Sequence, residues 1–415
     1  IYTAITRDIR RGRYAVNAAL PLTKELAERY GTGRGTIRRV LERLADDGWV
    51  RCERRRWSVT RGSFGAFPHN QIVLLGTPLE VGLVQNIPWE CRELIRLLDL
   101  ECSRRDIRLR LRGLGDLATL SDTGTLRMLE NSLGCIIWLS GELRGMTWPE
   151  TIRRAMRVQE RVTIWAYRGD LPHPGQVVPH FPATTFYSFA QSEDDGRDVA
   201  MHVLRRGHTR AVFIGEEPLP EWASTRYRGI CRAFEQCGLG RGCRLVECPS
   251  TVGPRYRRAS GTVRATVLDE LNALTDTVCG GQLTPTKYTE MNAVFEARQY
   301  LHEAVRARLS EPVFEQLYDR SDATVWICAN DVTAQLAMAF FDRKSCPAAR
   351  RPSLISFDDT PLAQHAEMSS YNFDLPALAA EMVDGIVRSR PRSELGLMLR
   401  VPGFVNDRGS VASLT

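Results

Sequence analysis

The stretch from Leu20 to Val59 limits what this chain can fold into more than any other. It begins Leu20-Pro21-Leu22-Thr23-Lys24-Glu25-Leu26-Ala27-Glu28-Arg29-Tyr30-Gly31-Thr32-Gly33-Arg34-Gly35-Thr36-Ile37-Arg38-Arg39-Val40-Leu41. It continues through Trp49-Val50 to Arg54-Arg55-Arg56-Trp57-Ser58-Val59. The order reads as a short helix, a glycine-bearing turn, an arginine-rich helix and a small hairpin. Ile37, Val40, Leu41 and Leu44 fall at i, i+3, i+4 and i+7, one apolar face that can pack on the first helix. Arg34 and Arg38 sit one turn apart on another face, with Thr36 and Arg39 beside it. Two guanidiniums so placed can reach guanine edges or phosphates of a single groove. Gly31 and Gly33 suit a tight turn, where positive φ costs little only for glycine. A basic helix face alone would also describe a solvated surface. The succession of helix, turn, helix and wing instead predicts a winged helix-turn-helix, which lays its second helix in the DNA major groove.

Charge is distributed as that reading requires. Of the 56 Lys+Arg and 49 Asp+Glu, fourteen basic and seven acidic residues lie in 1–60, so the net +7 resides there and the remainder is neutral. That is the electrostatic footprint of a nucleic-acid-binding module. At 415 residues the chain is too long for one core, and 43% hydrophobic with 25% charged residues describes a globular protein. The eleven cysteines form no Cys-x-x-Cys pair and lack zinc-site spacing, so no metal is expected and reduced thiols in a cytoplasmic protein are. No apolar run is long enough to span a membrane, and no signal peptide opens the chain. It starts at Ile1, so a few leading residues are expected to be missing.

Residues 1–60 resemble the N-terminal domain of GntR-family bacterial transcription regulators. The resemblance rests on Ile1-Tyr2, Ile5 to Gly12, Leu20-Pro21, Glu25-Leu26-Ala27, Arg34-Gly35-Thr36-Ile37-Arg38-Arg39, Leu41-Glu42-Arg43-Leu44 and Gly48-Trp49-Val50. It implies DNA contacts at Lys24, Arg34, Thr36 and Arg38, with Arg39 beside them and Arg54 and Arg55 in the wing. Leu22 and Gly33 stand where the family has serines, so side-chain capping of both helices is expected to be weak. The wing carries arginines in place of glycines, which favours phosphate attraction over base reading.

Beyond a linker at 61–70, which loses all periodicity and holds Gly and Pro, continuous apolar strands alternate with helices. Strands are expected at 71–76, 107–111, 134–139, 162–166, 211–215, 324–329 and 354–357. Helices are expected at 88–105, around 123–132, and at 150–159, 197–206, 226–237 and 331–343. Such alternation implies parallel sheets covered on both faces. The predicted fold class is therefore α/β: a mainly helical winged head followed by a two-subdomain, periplasmic-binding-protein-like body. Ligands of such sheets bind at the carboxyl ends of the strands.

Residues 71–415 resemble the effector-binding domain of the LacI family. Three patches carry this: Asp195-Gly196-Arg197 through Gly207-His208 to Gly215; Ser224-Thr225-Arg226-Tyr227-Arg228-Gly229-Ile230; and Cys328-Ala329-Asn330-Asp331 onward to Ile355-Ser356-Phe357-Asp358-Asp359-Thr360-Pro361-Leu362-Ala363. The resemblance implies an N-subdomain at about 71–188 plus 374–392 and a C-subdomain at about 189–372 plus 396–415. An insertion falls within about 250–322. It also implies effector contacts from Arg226, Asn330 and Asp358, whose fork donor, amide and carboxylate suit sugar hydroxyls. The same residues could instead form a structural ion pair and a helix cap. Trp138 and Trp165 are candidates for stacking on a sugar ring, or for core.

The sequence is thus read as a transcription regulator, a repressor. It would bind a two-fold double-stranded operator as a homodimer, because one winged helix reads too few base pairs to compete with a genome. The effector would be a small molecule, by resemblance a carbohydrate, and the protein would be cytoplasmic, joining the nucleoid when bound to DNA. No catalytic residue, cofactor, metal or membrane partner is expected. The alternatives are a body that only dimerises and a fused pyridoxal-phosphate enzyme, for which only Lys287 and Lys344 are available outside the head.

Overall fold

The computed structural model describes the chain apart from residues 11–12, 15–17, 47–48, 54–55, 60–69, 77–88, 114–127, 140–147, 167–183, 189–191, 241, 250–284, 389–397 and 415. Arg54 and Arg55 of the wing, nearly all of the linker, the start of the 123–132 helix and the first part of the insertion lie outside the described residues.

The head has three helices, α1 (Tyr2–Arg10), α2 (Thr23–Arg29) and α3 (Arg34–Asp46), then an antiparallel hairpin of β1 (Val50–Glu53) and β2 (Arg56–Val59). Val50 pairs with Val59 and Glu53 with Arg56. Ile5, Leu26, Ile37, Leu41 and Leu44 have no exposed surface and form its centre, closed by Trp49 and Val59; Val40 is only half-buried. The start of α2 shows how the missing serine is partly replaced. Leu22 offers no side-chain cap, but Glu25 Oε2 accepts from the Leu22 N–H at 2.9 Å, the return half of a capping box. Gly31 has φ +60 and needs its freedom, whereas Gly33 does not. A polar cluster locks α1 to the turn: Tyr30 donates to buried Asp8 at 2.6 Å and Arg13 reaches the same oxygen at 3.0 Å. Burial, then the bond to Asp8, raises the Tyr30 hydroxyl above its ordinary range.

The body holds two six-stranded sheets. The first lobe contains β3 (Gln71–Gly76), α4 (Trp89–Ser103), β4 (Arg108–Gly113), β5 (Gly134–Leu139), α5 (Trp148–Val158), β6 (Val162–Ala166) and β7 (Thr185–Ser188). The second contains α6 (Glu193–Arg205), β8 (Ala211–Glu217), α7 (Glu221–Gln236), β9 (Cys243–Pro249), α8 (Pro285–Arg320), β10 (Val325–Cys328), α9 (Asp331–Arg343), β11 (Ser353–Phe357), α10 (Pro361–His365) and β12 (Ser369–Asn372). The chain then returns to the first lobe as α11 (Leu375–Val387), which packs on α4, and β13 (Met398–Leu399), before ending in the second with β14 (Phe404–Asn406).

The sheet orders are β13-β7-β6-β5-β3-β4 and β14-β12-β11-β10-β8-β9. Numbered within its own lobe, each begins 2-1-3-4-5, so the second lobe repeats the winding of the first. All pairs in the two sheets are parallel except β12 with β14. Because β13 lies beside β7, the final crossing comes after Leu399, a few residues later than the expected boundary near 396. The insertion resolves at its end into α8, whose Phe314 and Leu317 join the core over β10.

Two glycines explain the motifs around α6 and α7. A Cβ on Gly196 would run into the backbone oxygen of Arg226, and one on Gly229 into that of Glu193. The two helices therefore approach as closely as their backbones allow. That contact fixes the backbone of α7 at Arg226, whose side chain is wholly buried.

Candidate functional site

In the head, Lys24, Arg34, Arg38 and Arg39 are exposed and Thr36 is half-buried, so the face opposite the apolar stripe of α3 is open. Arg38 Nε pairs with Glu42 Oε1 at 3.0 Å, with both side chains solvated. Such a pair contributes at most about 1 kcal/mol, so exchanging it for a phosphate or a base edge costs little.

In the second lobe the topological switch point lies between β8 and β10, the place where open α/β sheets bind ligands. Glu216 stands at the carboxyl end of β8 and Asn330 two residues after β10. Asn330 Oδ1 accepts from Thr333 N at 2.8 Å and so caps α9, while its Nδ2 donates to Glu216 Oε1 at 3.3 Å. Arg306 on α8 donates to the same Glu216 oxygen at 2.8 Å and to Thr333 Oγ1 at 3.0 Å.

Arg226 is wholly buried. Its Nη2 donates to Asp358 Oδ1 at 3.0 Å and its Nη1 to the Ala329 carbonyl. The guanidinium lies 4.6, 4.7 and 4.9 Å from the ring centres of Trp222, Phe357 and Phe373. Those faces replace part of the water a buried cation loses. Asp358 and Asp359 have φ of +99 and +45, left-handed values that cost a non-glycine residue of order 1–3 kcal/mol and cluster at functional sites. Asp359 is held by Asn372 and Arg408, each at 2.7 Å. Buried Asp331 accepts from Ser356, from Ser370 at 2.7 Å, and from Thr360 N and Oγ1 at 2.7 and 2.8 Å. Burial, then the Asp358 charge, pushes its pKa up to about 6 against those bonds.

The structure thus brings Arg226, Asp358 and Asn330 together around Ala329 and the ends of β10 and β11. Trp138 and Trp165 are placed differently. They are fully buried and stack on each other, centroids 4.8 Å apart and 15° from parallel, within the core of the first lobe. Glu216, Arg306 and Asp331 were not anticipated. Asp331 lay inside a recognised motif, but Arg306 had no signal beyond its place in an insertion. Among the described residues no cluster of His, Cys, Asp and Glu could hold a metal ion. No described helix is long and apolar enough to cross a membrane.

Fold and site together define a winged helix-turn-helix with an open basic helix, followed by a two-lobed, periplasmic-binding-protein-like body. The head can be placed further: residues 1–58 match the family described as bacterial regulatory proteins, gntR family. Over 59 residues the chain is 39% identical to the HTH-type transcriptional regulator TreR of Bacillus subtilis (strain 168), covering 14% of this chain and 25% of that protein. Over 49 residues it is 43% identical to the fatty acid metabolism regulator protein of Pasteurella multocida (strain Pm70), covering 12% of this chain and 20% of that protein. The chain therefore spans a quarter or less of the curated relatives it matches. A solved transcription regulator from Lactobacillus plantarum aligns over 83% of this chain and all of its own, with a TM-score of 0.48 at 12% identity.

Proposed function

We propose that this protein is a one-component transcription regulator, a repressor, that binds a two-fold operator as a homodimer through Lys24, Arg34, Thr36, Arg38 and Arg39, with Arg54 and Arg55 of the wing on phosphates. The observation that carries the reading is the open basic face of α3, set on a closed core in a domain that matches the gntR family over residues 1–58. Arg34→Ala and Arg38→Ala should each abolish specific operator binding while the head melts unchanged. Unaltered sequence preference in both variants, read by selection from a random duplex library, would refute the placement of the recognition helix.

The body is proposed to sense a small molecule, a carbohydrate, at the second-lobe switch point. Arg226, Asn330 and Asp358 are its ligands; Trp138 and Trp165, fully buried against each other, are core. In support, the three polar groups converge at strand ends and two neighbouring aspartates hold left-handed backbone. Effector binding alters operator affinity, and the coupling is reciprocal. A sugar at a hundred times its Kd should stabilise the body by about 2.7 kcal/mol in a thermal-shift screen. The stabilisation should vanish in Asp358→Ala.

A second reading has its own observation. Arg226 and Asp358 already pair with each other, and Asn330 caps α9 and bonds Glu216, which suits a body that only dimerises. Silence across a broad sugar library, with intact DNA binding, would select it. Of the two lysines available to a pyridoxal-phosphate enzyme, Lys344 is exposed and paired with Glu315 at 2.6 Å, while the side chain of Lys287 lies outside the described residues.

A further inference from the structure

The edge of the first lobe carries a feature that neither site uses. β4 is the outermost strand of its sheet and reads Arg108-Leu109-Arg110-Leu111-Arg112-Gly113. Its parallel register sets Arg108, Arg110 and Arg112 beside Gln71, Val73 and Leu75, so the three arginines share one face of the sheet. All three are exposed. None makes an ion pair with a described residue, and Arg112 bonds only to the carbonyl of its neighbour Leu111. Other arginines nearby behave differently: Arg104 pairs with Glu101 at 3.2 Å, and Arg105 with Glu101 and Asp384 at 2.8 Å each. Asp106, two residues before the strand, pairs with none of the three. Charge on a bare edge also discourages strand addition, and either sign serves that purpose. Three unneutralised charges of one sign, in a body whose net charge is zero, do more.

Position decides the partner. The Arg108 N–H donates to the Asn70 carbonyl at 2.8 Å, and the Asn70 side chain donates back to the Asp106 carbonyl. The stripe therefore starts where the tether from the head joins the body. Ten residues separate Val59 from Asn70, and a tether of that length spans at most about 33–36 Å. The head, and any duplex it holds, is therefore tethered within that reach of this corner. Successive arginines on one face of a strand are about 6.6 Å apart, so the three cover about 13 Å, over which one DNA strand presents about four phosphates.

We propose that Arg108, Arg110 and Arg112 form a second, sequence-independent contact, to the phosphate backbone of DNA flanking the site read by the head. The proposal rests on the DNA-binding reading of the head. It adds about three phosphate contacts per protomer and no base preference.

The test uses the full chain and a labelled duplex of arbitrary sequence, titrated across salt concentrations by fluorescence anisotropy. The Arg108→Gln/Arg110→Gln/Arg112→Gln variant should lower the slope of log K against log salt by about 2–3 per protomer, and Arg110→Gln alone by about 1, with melting and oligomeric state unchanged. Sequence preference, lost in the Arg34→Ala/Arg38→Ala variant, should survive in both. An unchanged slope in a folded triple variant overturns the stripe and leaves the head reading intact. An unchanged slope with an altered sedimentation state overturns it too, and makes this edge a contact between copies. Absence of DNA binding by the wild type overturns both readings.

Discussion

Asp331 is where burial and charge are most opposed. Its folded-state pKa, about 6, lies above the ordinary value near 3.9 of an unfolded aspartate. Between those values the native protein holds a proton that the unfolded chain has released. Stability is therefore highest below that window and falls as pH rises through it, by on the order of 2–3 kcal/mol once complete. Asp331→Asn keeps an acceptor for the Thr360 amide but cannot ionise. Urea denaturation across pH 4–7 should show the wild type losing stability relative to this variant as pH rises, with the difference levelling off above 6. Parallel curves would mean that the four hydrogen bonds hold the carboxylate charged throughout.

Among the elements, α2 is the one whose start can be improved. Glu25 supplies one half of a capping box and Leu22 cannot supply the other. Leu22→Ser should give a hydroxyl that accepts from the Glu25 N–H and stabilise the head by about 0.5–1 kcal/mol. A lower melting temperature for the variant would show that exposed Leu22 contributes packing instead. Elements also show what the sequence discloses. The strands β3, β5 and β6 and the helix α9 were legible to the residue, because continuous apolar runs and an Asn-Asp cap are local signals. The strands β7, β9, β12, β13 and β14 were not. β12 reads Ser369-Ser370-Tyr371-Asn372, the composition of a turn, and its burial is made possible by Asp331 and Asp407, which accept from its serines, while Tyr371 packs in the core. The candidate site was legible in its members and not in its wiring. Arg226, Asp358 and Asn330 stand in recognisable patches, but an arginine that meets a ligand and one wrapped in three aromatic rings are the same letter. Arg306 reaches Glu216 across ninety residues of chain, a distance no periodicity spans.

At the scale of the molecule, neither lobe is made from one continuous segment. β13 borders the first sheet and β14 the second, and the last residues tie down the entrances of both β8 and β11. His208, fully buried, donates from Nε2 to the Ala412 carbonyl at 2.9 Å, Ser410 O accepts from Leu354 N at 3.0 Å, and Arg206 O accepts from Leu414 N at 2.8 Å. A chain ending at Arg388 should therefore lose the cooperative calorimetric transition of the body. Retention of that transition would mean that both lobes close without their sixth strands.

The same interleaving sets a timetable at the ribosome. β7 emerges with Ser188, but the strand that borders it is not made until Leu399. At about 5–20 residues per second the growing first sheet keeps a bare edge for roughly 10–40 s while all of the second lobe but β14 is being synthesised. Until Leu399 is made, the outer edge of β7 offers its unpaired N–H and C=O groups to any extended chain that reaches it.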